Sequence, residues 1–90
     1  MFKITGNKGF HITFKNGITV SVQFGGANYC ANDVSISDTP ENIQSPDAEV
    51  ALWNKTGSWI TKDFKDEGDD VLGYQTAEDV LVALNWAANQ

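Results

Sequence analysis

Residues 9–24 read GFHITFKNGITVSVQF, so apolar and polar residues alternate on both sides of an Asn-Gly pair. Alternation with a period of two is typical of strands with one buried face, and Asn-Gly indicates a hairpin turn. A two-residue loop would place the apolar residues of the two strands on opposite faces. A three-residue loop, residues 15–17 with Gly17 as a left-handed bulge residue, unites them on one face. The pairs predicted by this register are Phe10 with Val22, Ile12 with Val20, and Phe14 with Ile18.

The other face of this hairpin carries a row of polar side chains: His11, Thr13, Thr19, Ser21 and Gln23. None of them is a lysine or a glutamate, whereas a face that serves only solvation usually mixes those two residues. Two interpretations stay open, an ordinary outward face rich in β-forming residues and a recognition platform for a partner. The candidate aromatic anchors of such a platform are Tyr29, Trp53 and Trp59.

Residues 48–64, AEVALWNKTGSWITKDF, predict a second hairpin around a three-residue loop of the same kind, residues 55–57. This register pairs Trp53 with Trp59, and cross-strand aromatic pairs contribute about 0.2–1 kcal/mol to stability. Polar residues share the side of the two indoles. We therefore expect the indoles at a boundary, where the ring packs and the N–H stays in water.

A helix is predicted over residues 77–88, because Thr76 is a good N-cap and Glu78 and Asp79 follow in the first turn. Its apolar residues recur at helical spacing: Val80, Ala83, Leu84 and Ala87, with Leu81 and Ala88 widening the stripe. The chain is therefore predicted to be a single α+β domain, residues 1–90. In this domain an antiparallel sheet, built from hairpins at about 9–24 and 48–64, carries the helix on one face.

The remaining segments give weaker signals. Residues 25–47 are expected to be a long connection, in which only residues 34–37 alternate as a short edge strand. Residues 71–74 are expected to pair briefly as a strand. Residues 5–9, TGNKG, have the glycine and lysine of a phosphate loop without its spacing, and are expected to be a flexible lead-in.

The number of cysteines and the length of the apolar stretches indicate in which cellular compartment the protein works. The chain has a single cysteine, Cys30, whereas small secreted domains usually depend on disulfides. No stretch approaches the roughly 18 apolar residues of a membrane span. We therefore expect a cytoplasmic protein that does not associate with membranes.

Charge is distributed unevenly along the chain. Residues 1–30 contain three lysines and no acid, whereas residues 31–90 contain all twelve acids and three lysines, for a total of −6. Arginine is absent, and nucleic-acid binders concentrate basic residues, so direct binding of DNA or RNA is not expected. The acidic part favours a basic protein partner or serves only solubility.

Neither a metal site nor a cofactor site is predicted. In the acidic run of residues 63–70, an EF-hand alignment on Gly68 would require oxygen ligands where the chain has Lys65 and Tyr74. The run is therefore interpreted as a solvated surface or a partner-binding surface. Its candidate binding residues are Asp66, Glu67, Asp69 and Asp70, which in one version of the hypothesis occupy a nucleic-acid groove on a partner enzyme.

No catalytic residues are assigned. Cys30 and His11 are the chain's only thiol and imidazole, and a Cys/His-dependent enzyme remains an alternative hypothesis. The favoured interpretation is that Cys30 is a small buried residue and that His11 lies on the polar sheet face.

The block GFHITFKNGITVSVQFG with NYC at residues 28–30, together with AEVALWNKTGSWI at residues 48–60, resembles a family of short proteins encoded by bacteriophages and prophages. No known activity comes with this resemblance. It implies an accessory protein that acts inside a bacterial host by binding host proteins. We therefore expect a small non-enzymatic binding protein or inhibitor-like protein, with a self-associating module, such as a homodimer, as a further alternative.

Overall fold

The computed structural model describes residues 1–6, 8–24 and 45–90. Five strands form one antiparallel sheet in which each strand pairs with its sequence neighbours, and a C-terminal helix packs on it. The predicted α+β class is therefore confirmed. Tyr29, Cys30 and the strand predicted at residues 34–37 lie outside the described residues. The elements in chain order are β1 Phe2–Ile4, β2 Gly9–Thr13, β3 Thr19–Gln23, β4 Asp47–Trp53, α1 Thr61–Phe64, β5 Val71–Thr76 and α2 Ala77–Ala88.

The first hairpin, β2 and β3, has the predicted register, with Phe10 opposite Val22. The predicted loop is also confirmed. Gly17 has a φ of 87°, its N–H donates to the Phe14 carbonyl at 2.9 Å, and the Phe14 N–H donates to the Ile18 carbonyl at 2.9 Å. A left-handed glycine therefore closes the loop and directs the apolar residues of both strands to one face.

The second hairpin is confirmed only at its turn. Trp53 and Trp59 form a single antiparallel bridge, but the chain then enters α1 at Thr61 and does not continue as a strand. The Thr61 hydroxyl takes the place of a strand partner, because it accepts a hydrogen bond from the Leu52 N–H at 3.0 Å. The rest of this edge of β4 pairs with β5. The prediction of a strand up to residue 64 is therefore wrong.

Two strands extend the sheet beyond the prediction. The chain before residue 5 forms β1, which pairs with β2 through Phe2 opposite Ile12 and Ile4 opposite Phe10. At the other edge β5 runs to Thr76, two residues beyond the predicted end, with a bulge in its pairing with β4. The predicted lead-in at residues 5–9 lies between β1 and β2, with Gly9 already part of β2 and Asn7 outside the described residues. The Lys8 N–H donates to the Thr5 carbonyl at 2.9 Å.

Helix α2 has the predicted bounds, and Thr76 and Asp79 form a reciprocal capping box at its start. Its small residues Ala83 and Ala87 are buried against the sheet, which lets the helix approach β3, β4 and β5 closely. Leu81 and Ala88 do not widen this stripe, since both are exposed, Leu81 to 57%. Other buried core residues come from the sheet: Val20, Val22, Val50, Leu52 and Leu72.

The C-terminal end of α2 is tied to the first hairpin turn. The Asn16 side-chain N–H₂ donates to the carbonyls of Ala87 at 2.7 Å and Gln90 at 3.2 Å, while its Oδ1 accepts from the Ile18 N–H at 3.0 Å. Carbonyls in the last turn of a helix have no partner within the helix, so this side chain satisfies the Ala87 carbonyl, which would otherwise need water. The helix is thereby fixed on one face of the sheet.

Candidate functional site

The two faces of the sheet have different surroundings. One face carries the core and α2, and α1 directs Phe64 toward the same core. The opposite face, called the open face below, has no helix on it among the described residues. Strand register places these side chains on the open face: Lys3, His11, Thr13, Thr19, Ser21, Gln23, Glu49, Ala51, Trp53 and Trp59.

Three rings form a continuous row on the open face, which we call the aromatic row: His11, Trp53 and Trp59. The His11 and Trp53 rings have centroids 5.0 Å apart at 87°, and the Trp53 and Trp59 rings have centroids 5.5 Å apart at 75°. Edge-to-face contacts of this kind add about 0.5–1.5 kcal/mol beyond the burial of area. Trp59 ends the row and is 52% exposed. The row is therefore ordered by its own contacts and accessible at one end.

The aromatic row covers the middle of the open face. His11 is on β2 and Trp53 is on β4, with β3 between them and an offset of two residues along the strands, so their backbones are roughly 12 Å apart. A centroid distance of 5.0 Å requires both side chains to lean over β3. The β3 residues beneath are Thr19 and Ser21, each only 7% exposed. The predicted polar row is on one face, as expected, but these two members are not exposed, because the rings cover them.

The other polar residues of the row are hydrogen bonded within the sheet. The hydroxyls of Thr13 and Thr19 are 2.8 Å apart, and the Gln23 side-chain N–H₂ donates to the Thr5 hydroxyl at 2.7 Å. These bonds already use polar groups that a partner would otherwise have to satisfy. In contrast, the Trp59 indole N–H has no hydrogen-bond partner among the described residues, so it is available to a ligand.

The imidazole of His11 is electrostatically biased toward its neutral form. Burial of the ring, followed by the positive charge of Lys3, holds the pKa of His11 below its ordinary value of 6.5. Both causes disfavour the imidazolium, one by desolvation and one by repulsion between like charges. At neutral pH the aromatic row therefore presents an uncharged surface.

The arrangement does not assemble a catalytic set within the described residues. Ser21 lies directly opposite His11 in the sheet, yet no hydrogen bond joins its hydroxyl to the imidazole. The hypothesis of a Cys30–His11 enzyme stays a prediction, since Cys30 is outside the described residues. Within residues 1–6, 8–24 and 45–90, no three side chains of His, Cys, Asp or Glu group closely enough to hold a metal ion.

The acidic loop before β5 keeps its candidate residues exposed. Asp66 and Asp69 each accept a local backbone hydrogen bond, from the Gly68 N–H at 2.9 Å and the Asp70 N–H at 2.7 Å. Glu67 forms an ion pair with Lys65 at 3.1 Å. These contacts shape the loop and partly neutralise it. Its carboxylates remain at the surface, where they contribute to long-range attraction of a basic partner.

Two surface features of the structure were not predictable from the sequence. A partly open apolar pocket of about 250 Å³ lies between α2 and the sheet, with Phe10, Val22 and Val80 in its lining. Its walls come from several elements, so no local pattern marks it. The other feature is the exposure of Phe2 and Ile4 on β1, a strand too short for its alternation to be read.

Comparisons with protein-family models, with curated proteins and with solved structures find no match. The structure defines the chain as an α+β protein with a five-stranded antiparallel meander and one covering helix. A fold class by itself assigns no function, so the function of this chain is inferred from the surfaces described above.

None of the helices in the described ranges is both long enough and apolar enough to cross a membrane.

Proposed function

We propose that this protein is a small non-enzymatic binding protein that engages a partner protein through the aromatic row of its open face. The observation that supports this proposal is the position of Trp59, which is half exposed yet held edge to face against Trp53. Tryptophan is one of the residues most enriched at the energetic hot spots of protein interfaces. An anchor that is already ordered loses little conformational entropy on binding.

The surroundings of the aromatic row suit an interface core. His11 is biased to the neutral form, and the hydroxyls of Thr13 and Thr19 are bonded to each other. Desolvating this surface therefore leaves few polar groups unpaired, which keeps the free-energy cost of binding low. A surface of this kind favours a protein partner with a pocket that accepts an indole.

The resemblance and the charge of the chain indicate the origin and the charge of the partner. The resemblance to phage and prophage proteins favours a host protein in the cytoplasm of a bacterial cell. A net charge of −6 and the exposed acidic loop favour a partner with a basic surface. Such charges mainly accelerate encounter, whereas anchors in the interface core determine how long the complex persists.

The proposal is tested by affinity capture from bacterial lysate with three immobilised proteins: wild type, Trp59→Ala and Leu81→Ala. Leu81 is a matched control because it is a similarly exposed apolar residue, at 57%, on α2 and not on the open face. We expect one partner to be retained by wild type and Leu81→Ala and to be lost with Trp59→Ala. Equal retention by all three proteins would contradict the proposal. Circular dichroism of Trp59→Ala establishes that the variant is folded.

A second experiment distinguishes binding through the aromatic row from binding through the acidic loop. Neutralising Asp66, Glu67, Asp69 and Asp70 together removes four of the twelve acidic charges. We expect slower association and a weaker dependence of the rate on salt, with the partner still bound. Complete loss of binding in this variant, with normal binding by Trp59→Ala, would move the interface to the loop and refute the role of the row.

A further inference from the structure

The outer edge of β1 presents unpaired backbone groups. Met1 and Thr13 exchange two hydrogen bonds of 2.8 Å across the β1–β2 pair. Such pairs alternate along an antiparallel ladder, so Lys3 also directs its backbone toward β2. Phe2 and Ile4 therefore direct their N–H and C=O groups away from β2. No described strand pairs with this edge, which leaves two donors and two acceptors free.

The side chains at this edge are large and apolar. Phe2 is 70% exposed and Ile4 is 76% exposed, and both lie on the core face because their cross-strand partners are Ile12 and Phe10. Helix α2 packs on β3, β4 and β5, so it leaves this corner of the core face uncovered. An open strand edge flanked by exposed apolar side chains is a template for pairing with another strand.

The opposite face of the same edge is positively charged. Lys3 lies beside His11, and its charge is the second cause of the lowered pKa of that imidazole. Lys3 forms no ion pair with any described residue. An incoming strand would therefore meet an uncompensated ammonium group on one face and two apolar side chains on the other.

We propose that the edge of β1 is a docking site for an extended segment of a partner protein in which apolar and acidic residues alternate. The segment adds antiparallel to β1 and forms four backbone hydrogen bonds with Phe2 and Ile4. Its apolar side chains lie against those two residues, and its acidic side chains face Lys3. Strand addition of this kind takes affinity from the main chain and specificity from alternate side chains. This contact goes beyond the proposed role of the aromatic row.

Charge favours such a segment over a second copy of the chain. Two β1 strands paired antiparallel with all four hydrogen bonds would place Phe2 opposite Ile4 and Lys3 opposite its own copy. Like charges directly opposite each other destabilise a strand pair.

The test uses two short capped peptides as probes, one alternating Val and Glu and the other alternating Val and Lys. Fluorescence anisotropy should show that wild type binds the Glu peptide better than the Lys peptide. Lys3→Glu should reverse that preference, with about a fivefold loss of affinity for the Glu peptide. Lys62→Glu is the matched control, because it makes the same change of net charge at an exposed residue of α1. An unchanged preference in Lys3→Glu would overturn the proposal.

The register of the proposed strand pairing allows a more specific experiment. Valine residues should lie opposite Phe2 and Ile4, so their N–H groups should donate to β1. Methylating the valine nitrogens should abolish binding, whereas methylating the glutamate nitrogens, which face away, should preserve it. Equal effects of the two methylations would overturn the strand pairing.

Two further outcomes are decisive. Trp59→Ala should bind the Glu peptide like wild type, so failure of the aromatic row and failure of this edge are distinguishable. Sedimentation equilibrium should report a monomer. A wild-type dimer that dissociates on Ile4→Thr would show that a second copy occupies the edge, and would overturn the proposal.

Discussion

Gly17 and Gly57 occupy the same position in two similar turns, with φ angles of 87° and 88°. Their surroundings differ. A Cβ on Gly17 would lie 2.7 Å from the Cβ of Lys55, whereas a Cβ on Gly57 would meet no atom within 4 Å. The two turns therefore lie side by side, and only one of the two glycines is also required by close packing.

This difference predicts that the same substitution, glycine to alanine, lowers the free energy of unfolding by different amounts in the two turns. Gly57→Ala should lower the free energy of unfolding by about 1–2 kcal/mol, the cost of a left-handed alanine. Gly17→Ala should lower it further, because Lys55 must also move. Urea denaturation of both variants checks this. Equal losses would show that the contact between the two turns is not as close as described.

His11 gives a pH dependence whose sign follows from its surroundings. The folded pKa lies below the ordinary value of 6.5, so protonation favours the unfolded chain. Stability is therefore complete above about pH 6.5 and decreases as the pH falls through the folded pKa. Urea denaturation at pH 7 and pH 5 should show this loss in wild type and a smaller loss in His11→Gln, which cannot titrate. The same loss in both proteins would contradict the account.

At the scale of elements, the first hairpin and α2 were predictable because their signals are local. Gly17 supplies the left-handed residue that the loop requires, and Thr76 with Asp79 supplies the cap. The end of the second hairpin was not predictable, because β5 competes for the same edge of β4 from far along the chain. A three-residue strand such as β1 is too short for its period to be recognised.

The candidate site was also predictable only where its signals are local. Alternation places His11 and Ser21 on one face, and the register confirms it. The burial of Ser21 and Thr19 could not be read from alternation. It depends on rings from β2 and β4 that meet above β3, which is a property of three strands together.

The link between the first turn and α2 makes a testable prediction about Asn16. Asn16→Asp removes the donors to Ala87 and Gln90 and places a negative charge at the negative end of the helix. It should lower the free energy of unfolding by about 1–2 kcal/mol. Asn54→Asp is the control, because the Asn54 Oδ1 accepts hydrogen bonds from Thr56 and Ser58, and an aspartate oxygen accepts them equally. A larger loss in Asn54→Asp would contradict the role assigned to Asn16.

At the scale of the whole molecule, α2 packs on three of the five strands, and the surfaces that no other described element covers differ in chemistry. The aromatic row offers a rigid anchor on the open face. The edge of β1 offers backbone groups flanked by apolar side chains on one face and a lysine on the other. The two surfaces involve different residues, so a partner can use either one alone.

The three tryptophans allow the central claim to be tested within one sample. Trp53 and Trp59 belong to the aromatic row, whereas Trp86 packs beside Phe64 on the other side of the sheet, with ring centroids 5.4 Å apart. Their indole N–H signals can be followed by proton–nitrogen NMR while the captured partner is added. We expect the signals of Trp59 and Trp53 to shift and that of Trp86 to stay in place. A shift of Trp86 alone, or no shift of Trp59, would contradict binding through the aromatic row.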